Sequence, residues 1–262
     1  MEFVKKMNKN RIIYSIFILI GLGLIISCAG KKPTEQLALE ERYKRGQEFL
    51  ENKKYYNAQQ EFQIIVLSGS HTELGDDAQF YLAESYYLNK EYILAISEYE
   101  RLTRKMKYSP FVEKARWRIC EAYVAESPKY YHDQTNTEKA LQKLQEFIEE
   151  YPDSEYRAKA NKTVSKLRYK LAEKVYESAL LYIKLHAYDS AIVAFEDLLR
   201  KFYDTALAAD AHVGIIHSYS LMNKIEEAKY YYQSNEDKIL SAELKAKSLE
   251  YIRISESDKK NK

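Results

Sequence analysis

Cysteine, glycine and proline are all scarce in this chain, and these shortages narrow the range of possible folds. Only two cysteines occur in 262 residues, Cys28 and Cys120, so a disulfide framework is excluded. Cys120 follows Arg116-Trp117-Arg118-Ile119 and is predicted to be a small buried helix residue. Seven glycines and four prolines stand beside abundant Ala, Leu, Glu and Lys, the residues that helix interiors favour. Strict alternation typical of strands is absent, and the sequence predicts an all-α protein.

An excess of positive charge is also missing from most of the chain. The whole sequence has 41 basic and 39 acidic residues. Residues 1–27 contain four of the basic residues and one of the acidic, so the remainder is close to neutral with 37 against 38. A surface that neutralises phosphates would need a basic excess, and the sequence therefore predicts no nucleic-acid partner.

The first 27 residues have the pattern of a secretory signal. A basic start precedes an almost wholly apolar run, residues 12–26, which is shorter than the roughly 20 residues that a membrane-spanning helix needs. The run ends in Ile25-Ile26-Ser27-Cys28, which resembles the lipobox of bacterial lipoproteins. We predict that Cys28 becomes the mature N-terminus and carries S-diacylglycerol and N-palmitoyl groups, with residues 28–36 as a linker. An uncleaved membrane anchor is the alternative.

A repeat of 37 residues organises the mature chain. Ala58 and Ala95 are separated by this step, and so are Ala191 and Ala228. Aromatic residues follow the same step: Phe49, Tyr86 and Tyr123; Phe62 and Tyr99; Tyr182 and Tyr219; Phe195 and Tyr232. Small residues beside aromatic residues at a fixed step are similar to the tetratricopeptide repeat, a helix–turn–helix unit. The sequence therefore predicts a right-handed superhelix of about five such units.

Interruptions of the repeat predict how its two halves are joined. Eight additional residues, Ser127–Gln134, form a turn-rich loop in the third unit. No glycine or proline occurs from Glu155 to Leu185, which predicts one long helix capped by Ser154 or Asp153 and shared by the third and fourth units. We divide the chain into N-terminal repeats at 37–135, C-terminal repeats at 136–239, and a terminal helix at 240–254 with a disordered tail at 255–262.

No residues of this sequence form a recognisable catalytic or metal-binding motif. The best histidine pair, His212 and His217, is five residues apart and does not lie squarely on one helical face. We therefore predict that the protein is not an enzyme and holds no cofactor other than the lipid on Cys28.

An aromatic column is the strongest candidate for a binding surface. It recurs on the first helix of the first four units, with polar residues one helical turn later in the first three. Its predicted members are Tyr43, Gln47, Phe80, Glu84, Trp117, Glu121 and Tyr176. Such a ladder would bind a peptide with little loss of rotamer entropy. The alternative is that these aromatic residues pack between helices.

With these features together, the chain resembles the BamD (ComL) family of outer-membrane assembly lipoproteins. The most specific stretches are His132–Thr135, Phe147–Tyr156 and Leu167–Lys174, followed by Tyr182 and Tyr188. A second turn that the family often has as Tyr-Pro-Asp-Thr is here Phe202-Tyr203-Asp204-Thr205, without the proline.

The resemblance implies a scaffold anchored to the periplasmic face of the outer membrane. It would bind BamA and other subunits of the β-barrel assembly machinery through its C-terminal repeats, and unfolded outer-membrane precursors through its N-terminal repeats. The alternative function is a repeat lipoprotein that serves as an adaptor for cell-wall enzymes or the Tol-Pal system.

Overall fold

The computed structural model describes residues 39–69 and 74–260, so the predicted leader, Cys28 and the whole linker at 28–36 lie outside the described residues. Within the described ranges there are eleven α-helices and no strands, as the composition predicts. The helices are α1 (Leu39–Glu51), α2 (Tyr55–Gly69), α3 (Gly75–Leu88), α4 (Tyr92–Lys105), α5 (Val112–Ala125), α6 (Thr135–Glu150), α7 (Arg157–Lys184), α8 (Tyr188–Phe202), α9 (Leu207–Leu221), α10 (Ile225–Asn235) and α11 (Ala242–Lys260).

The helices pack against their neighbours in chain order, and five helical hairpins make up the repeat units. The hairpins are α1–α2, α3–α4, α5–α6, α7–α8 and α9–α10. Each second helix also packs against the first helix of the next unit. This nearest-neighbour arrangement is that of a repeat protein, and the prediction of about five tetratricopeptide-like units is confirmed.

Four of the five hairpins turn in the same way. Lys53, Lys90, His186 and Asn223 each follow the first helix of a unit and have φ between 55° and 64°. The N–H of the next residue donates to a carbonyl five residues back, for example Glu91 to Tyr86 at 2.9 Å. This Schellman closure satisfies the carbonyls at the end of the helix and reverses the chain within three residues. The 37-residue step therefore repeats a backbone turn as well as a packing pattern.

Close approach of two helices explains the small residues of the repeat. In the first unit Gly46 lies against the ring of Phe62, and a Cβ atom at Gly46 would stand 2.7 Å from that ring. Ala83 and Ala179 occupy the equivalent place in the second and fourth units, and both are fully buried. The aromatic side chains of the second helices thus fill the space that small residues leave on the first helices.

The long helix joins the two halves of the molecule, as the absence of glycine and proline predicts. Helix α7 has 28 residues and is about 42 Å long at 1.5 Å per residue. Its first part packs on α6 through Ala160 and Leu167, and its second part packs on α8 through Ala172 and Ala179. One element therefore belongs to two cores, and this fixes their relative positions.

The cap of α7 lies later than the sequence suggested. Tyr156 is the N-cap residue, and no side chain caps the helix there. The Ser154 hydroxyl instead accepts a hydrogen bond of 3.1 Å from the N–H of Tyr156, which shapes the turn before the helix.

The loop of the third unit, residues 126–134, is held against α7. The amide of Gln134 donates to three loop carbonyls, those of Lys129, Tyr130 and His132, at 2.8–3.2 Å. From α7, Lys170 donates to the Ser127 hydroxyl and to the Pro128 carbonyl at 2.8 and 2.9 Å, and Lys174 reaches His132 O at 2.8 Å. These bonds order a long connection that has little apolar burial of its own.

The predicted disordered tail is wrong for residues 255–260. Helix α11 continues to Lys260, and Ser255 is buried, with its hydroxyl donating to Ser220 O of α9 at 2.9 Å. Ile252 is also buried against α9 and α10. Most residues of the tail are charged, so its composition predicted disorder and did not identify the few residues that hold it against the neighbouring helices.

Candidate functional site

The predicted aromatic column packs inside the hairpins. Three of its members contact the aromatic residue 19 positions later on the second helix of the same unit. The pairs are Tyr43–Phe62, Phe80–Tyr99 and Tyr176–Phe195, with ring centroids 5.9, 5.8 and 5.7 Å apart. Offset and edge-to-face aromatic pairs at this distance add to core stability. The column therefore has a packing role that repeats along the chain.

The groove prediction is wrong for Phe80 and Glu84. Phe80 has no exposed surface and stacks on Phe111 with centroids 4.6 Å apart. The Glu84 carboxylate is buried and accepts hydrogen bonds from the Tyr99 hydroxyl at 2.5 Å and from Arg118 at 2.6 and 3.0 Å. A fully buried ring and a fully bonded carboxylate have no free surface for a ligand.

Tyr43, Gln47 and Tyr176 are half-buried. The Tyr43 hydroxyl accepts from the Gln47 amide at 3.1 Å and donates to Asp77 at 3.2 Å. Burial and the nearby Asp77 carboxylate raise the pKa of Tyr43, so its hydroxyl stays protonated as a donor. Burial raises the pKa of Tyr176 to about 12, and its ring lies against the core of the fourth unit.

Trp117 and Glu121 contribute to a pocket of about 220 Å³ at the junction of α3, α5, α6 and α7. Trp117 is 4 % exposed, lies parallel to the ring of Tyr156 with the ring centroids 5.2 Å apart, and lines the pocket. The lining is mainly apolar, with charges at Glu121 and Lys159. The lining residues are Tyr87, Trp117, Glu121, Val124, Ala125, Leu144, Lys159 and Thr163. We call this cavity the groove pocket.

A chain of ion pairs borders the groove pocket and connects three helices. Arg118 of α5 contacts Glu84 of α3 and also donates to Glu121 at 2.8 Å. Glu121 in turn accepts from Lys159 of α7 at 2.6 Å. The Arg118 guanidinium lies 4.8 Å from the ring centre of Tyr87, and the Lys159 ammonium 5.2 Å from that of Trp117. The network thus couples the first helices of the N-terminal units to the start of the long helix.

The sequence analysis missed several lining residues, although one signal could have found two of them. Tyr87 and Val124 are 37 residues apart, directly after the packing aromatics Tyr86 and Tyr123. Lys159 and Thr163 had no comparable signal, because they belong to the added part of α7 that has no equivalent in the other units.

Cys120 is buried in the core of the third unit, together with Trp117 and Phe147. Burial raises the pKa of the Cys120 thiol to about 12, so it is not an activated nucleophile. No group of three or more metal-ligating side chains occurs in the described part of the chain. Among residues 39–69 and 74–260, no helix is both long enough and apolar enough to cross a bilayer.

Comparison with known proteins decides the family. A family model described as an outer membrane lipoprotein, YfiO, matches residues 35–234. The chain belongs to the YfiO family. The match covers all five hairpins of the repeat, the groove pocket and the long helix.

Relatives of this YfiO-family chain carry one name. The outer membrane protein assembly factor BamD of Rickettsia prowazekii is 25 % identical over 223 residues, which cover 81 % of this chain and 86 % of the relative. BamD of Caulobacter vibrioides is 23 % identical, with 78 % and 69 % covered. BamD of Vibrio cholerae is 23 % identical, with 83 % and 96 % covered.

Solved structures with similar chains are tetratricopeptide-repeat proteins. The TPR2AB domain of yeast Sti1 has a TM-score of 0.44 at 15 % identity, covering 85 % of this chain and 92 % of that structure. A thermophilic tetratricopeptide-repeat protein of Thermus thermophilus has a TM-score of 0.35 at 17 % identity, with 82 % and 99 % covered.

Proposed function

We propose that this protein is a non-enzymatic, lipid-anchored scaffold of the outer-membrane β-barrel assembly machinery. It binds segments of unfolded outer-membrane precursors in its N-terminal repeats and BamA through its C-terminal repeats. Membership of the YfiO family and the shared BamD name of its relatives support a role in outer-membrane protein assembly. The lipobox-like sequence before Cys28 supports anchorage to the periplasmic face of the outer membrane.

The groove pocket is the observation that best supports the proposed binding of precursor segments. It combines an apolar lining with an exposed cation, Lys159, and the partly exposed carboxylate of Glu121. An apolar side chain of an extended segment gains free energy by burial there, while the charged rim can pair with polar groups of the segment. Of the predicted groove residues, Trp117 and Glu121 line this pocket, and Tyr43, Gln47 and Tyr176 remain predictions.

A pocket-filling substitution tests the proposal without removing core atoms. Thr163→Trp places a large side chain into the groove pocket from α7, and Ser165→Trp places the same side chain on the exposed face of that helix as a control. We expect Thr163→Trp to weaken binding of a precursor-derived peptide by about 1–3 kcal/mol, and Ser165→Trp to leave it unchanged. Equal binding by both variants, with unchanged melting curves, would mean that the groove pocket does not bind precursors.

The assembly role has a separate test in cells. Depletion should lower the level of folded barrels in the outer membrane while export across the inner membrane continues, and BamA should co-purify with the protein. Recovery of peptidoglycan enzymes or Tol-Pal components instead of BamA, with normal barrel assembly, would favour the adaptor function.

A further inference from the structure

The junction between α4 and α5 carries an unusual cluster of positive charge. Arg104, Lys105 and Lys107 lie within four residues, and Tyr108 beside them is fully exposed. We call these four residues the basic corner. No acidic residue occurs from Arg101 to Val112. Within the described residues, none of the three cations makes an ion pair or a side-chain hydrogen bond.

The α6–α7 and α8–α9 junctions differ from the basic corner because they contain acidic residues. The α6–α7 junction, residues 151–156, contains Asp153 and Glu155, and the α8–α9 junction contains Asp204, which pairs with Arg168. At the end of α8, Arg200 and Lys201 stand where Arg104 and Lys105 stand at the end of α4, but both pair with Asp197. Arg104 and Lys105 also suit the last turn of α4, where cations interact well with the helix dipole. Lys107 and Tyr108 lie beyond the helix, and this explanation does not cover them.

The basic corner lies at the edge of the repeat stack where α1 begins. Because α1 to α4 pack as successive antiparallel helices, the beginning of α1 and the end of α4 are at the same edge. Residues 29–38 can span at most about 35 Å between Cys28 and α1. Glu40 and Glu41 share this edge in the first turn of α1, so the positive charge is confined to the corner.

We infer that the basic corner contacts the membrane, with its cations on anionic phospholipid head groups and the Tyr108 ring in the interfacial layer. Lysine and arginine gain free energy near an anionic lipid surface, and tyrosine is enriched at this depth because its ring is apolar and its hydroxyl polar. The contact orients the repeat stack relative to the membrane. This inference rests on the proposed lipid anchorage at Cys28.

Fluorescence quenching in vesicles tests the contact on the lipidated full-length mature protein. The single native tryptophan, Trp117, is buried and provides a constant background. In vesicles of phosphatidylglycerol and phosphatidylcholine with brominated acyl chains, the Tyr108→Trp protein should be quenched. The Tyr56→Trp protein is the control, because Tyr56 is also exposed but lies at the start of α2, on the opposite edge of the repeat stack. Equal quenching of both, or equal quenching of Tyr108→Trp in pure phosphatidylcholine, overturns the inference.

Removal of positive charge distinguishes binding of the cations to lipid head groups from an approach of Tyr108 to the membrane that does not depend on charge. Lys105→Gln with Lys107→Gln, made in the Tyr108→Trp protein, should lower the ratio of docked to undocked molecules about 25-fold, at roughly fivefold per lysine. Lys162→Gln with Lys166→Gln, on the exposed face of α7, is the matched control and should leave the ratio unchanged. An equal loss in both pairs overturns the inference, and so does loss of quenching on addition of inorganic phosphate at constant ionic strength.

The experiment distinguishes a wrong assignment of the basic corner from a failure of the lipid anchorage at Cys28. A protein that is not acylated at Cys28 does not remain on the vesicles when they are floated. A wrong assignment of the basic corner leaves the protein on the vesicles, with the Tyr108→Trp fluorescence unquenched.

Discussion

Four turn residues in the left-handed region show how single positions maintain the repeat. Lys90 has φ of 64° and no hydrogen bond or ion pair from its side chain within the described residues. A residue with a Cβ atom pays about 1–2 kcal/mol in this conformation, whereas glycine does not. The backbone closure of the turn, rather than the lysine side chain, therefore determines the structure here.

Lys90→Gly should stabilise the protein by about 0.5–1 kcal/mol, because relief of the left-handed strain exceeds the entropy that glycine adds to the unfolded chain. Asn223→Gly is the matched substitution in the fifth unit and should gain less, since asparagine tolerates this conformation. Urea unfolding midpoints of the two variants measure the difference. A loss of stability in Lys90→Gly would show that its side chain has a role of its own.

Gly46→Ala should destabilise the protein by about 1–3 kcal/mol, although alanine is the better helix former. The added methyl group would lie 2.7 Å from the ring of Phe62, which is fully buried and cannot move freely. Differential scanning calorimetry gives the change. In an exposed helix the same substitution gains about 1 kcal/mol, so a stabilised variant would contradict the close packing described for the first unit.

At the scale of the elements, sequence periodicity predicts the packing features that recur from unit to unit and misses contacts that occur only once. The aromatic and alanine columns predict the five hairpins because the two helices of each unit pack against each other in a similar way. The groove residues were harder to predict, because an aromatic column has the same sequence pattern whether its rings pack in a core or contact a ligand. Only the contacts of Phe80 in the structure show that its ring packs in the core. The docking of Ser255 on Ser220 is a single contact without periodicity.

Ser165→Pro in the interior of α7 should cost about 3 kcal/mol and bend the helix, because proline removes the bond to the Asn161 carbonyl and clashes with it. Ser165 is exposed, so its side chain is not itself important for packing. We expect the cores around Leu167 and Ala179 to unfold in separate steps, as followed by hydrogen exchange of α6 and α8. Ser165→Ala is the control and should behave as the native protein; one shared transition in the proline variant would mean that the halves are coupled by other contacts.

At the scale of the whole molecule, the buried histidines of the C-terminal units should make stability depend on pH. His212 is 6 % exposed, and its ring bonds the Tyr231 hydroxyl at 2.9 Å. Burial, together with the nearby Lys238, lowers the pKa of His212 to about 4, while Asp237 opposes this weakly. Burial also lowers the pKa of His217, which stacks on Tyr251. Both imidazoles are therefore neutral in the folded protein at neutral pH.

Stability should fall as the pH is lowered from about 6.5 to 4, since the unfolded chain takes up a proton at His212 in this range and the folded chain does not. The difference of about 2.5 pKa units corresponds to about 3 kcal/mol at the acid end of the range. Free energies of urea unfolding at pH 7 and pH 4.5 measure it, and His212→Gln should show a smaller decrease because glutamine does not titrate. Equal decreases in the two proteins would mean that carboxylates in ion pairs, such as Asp204 with Arg168, cause the acid sensitivity instead.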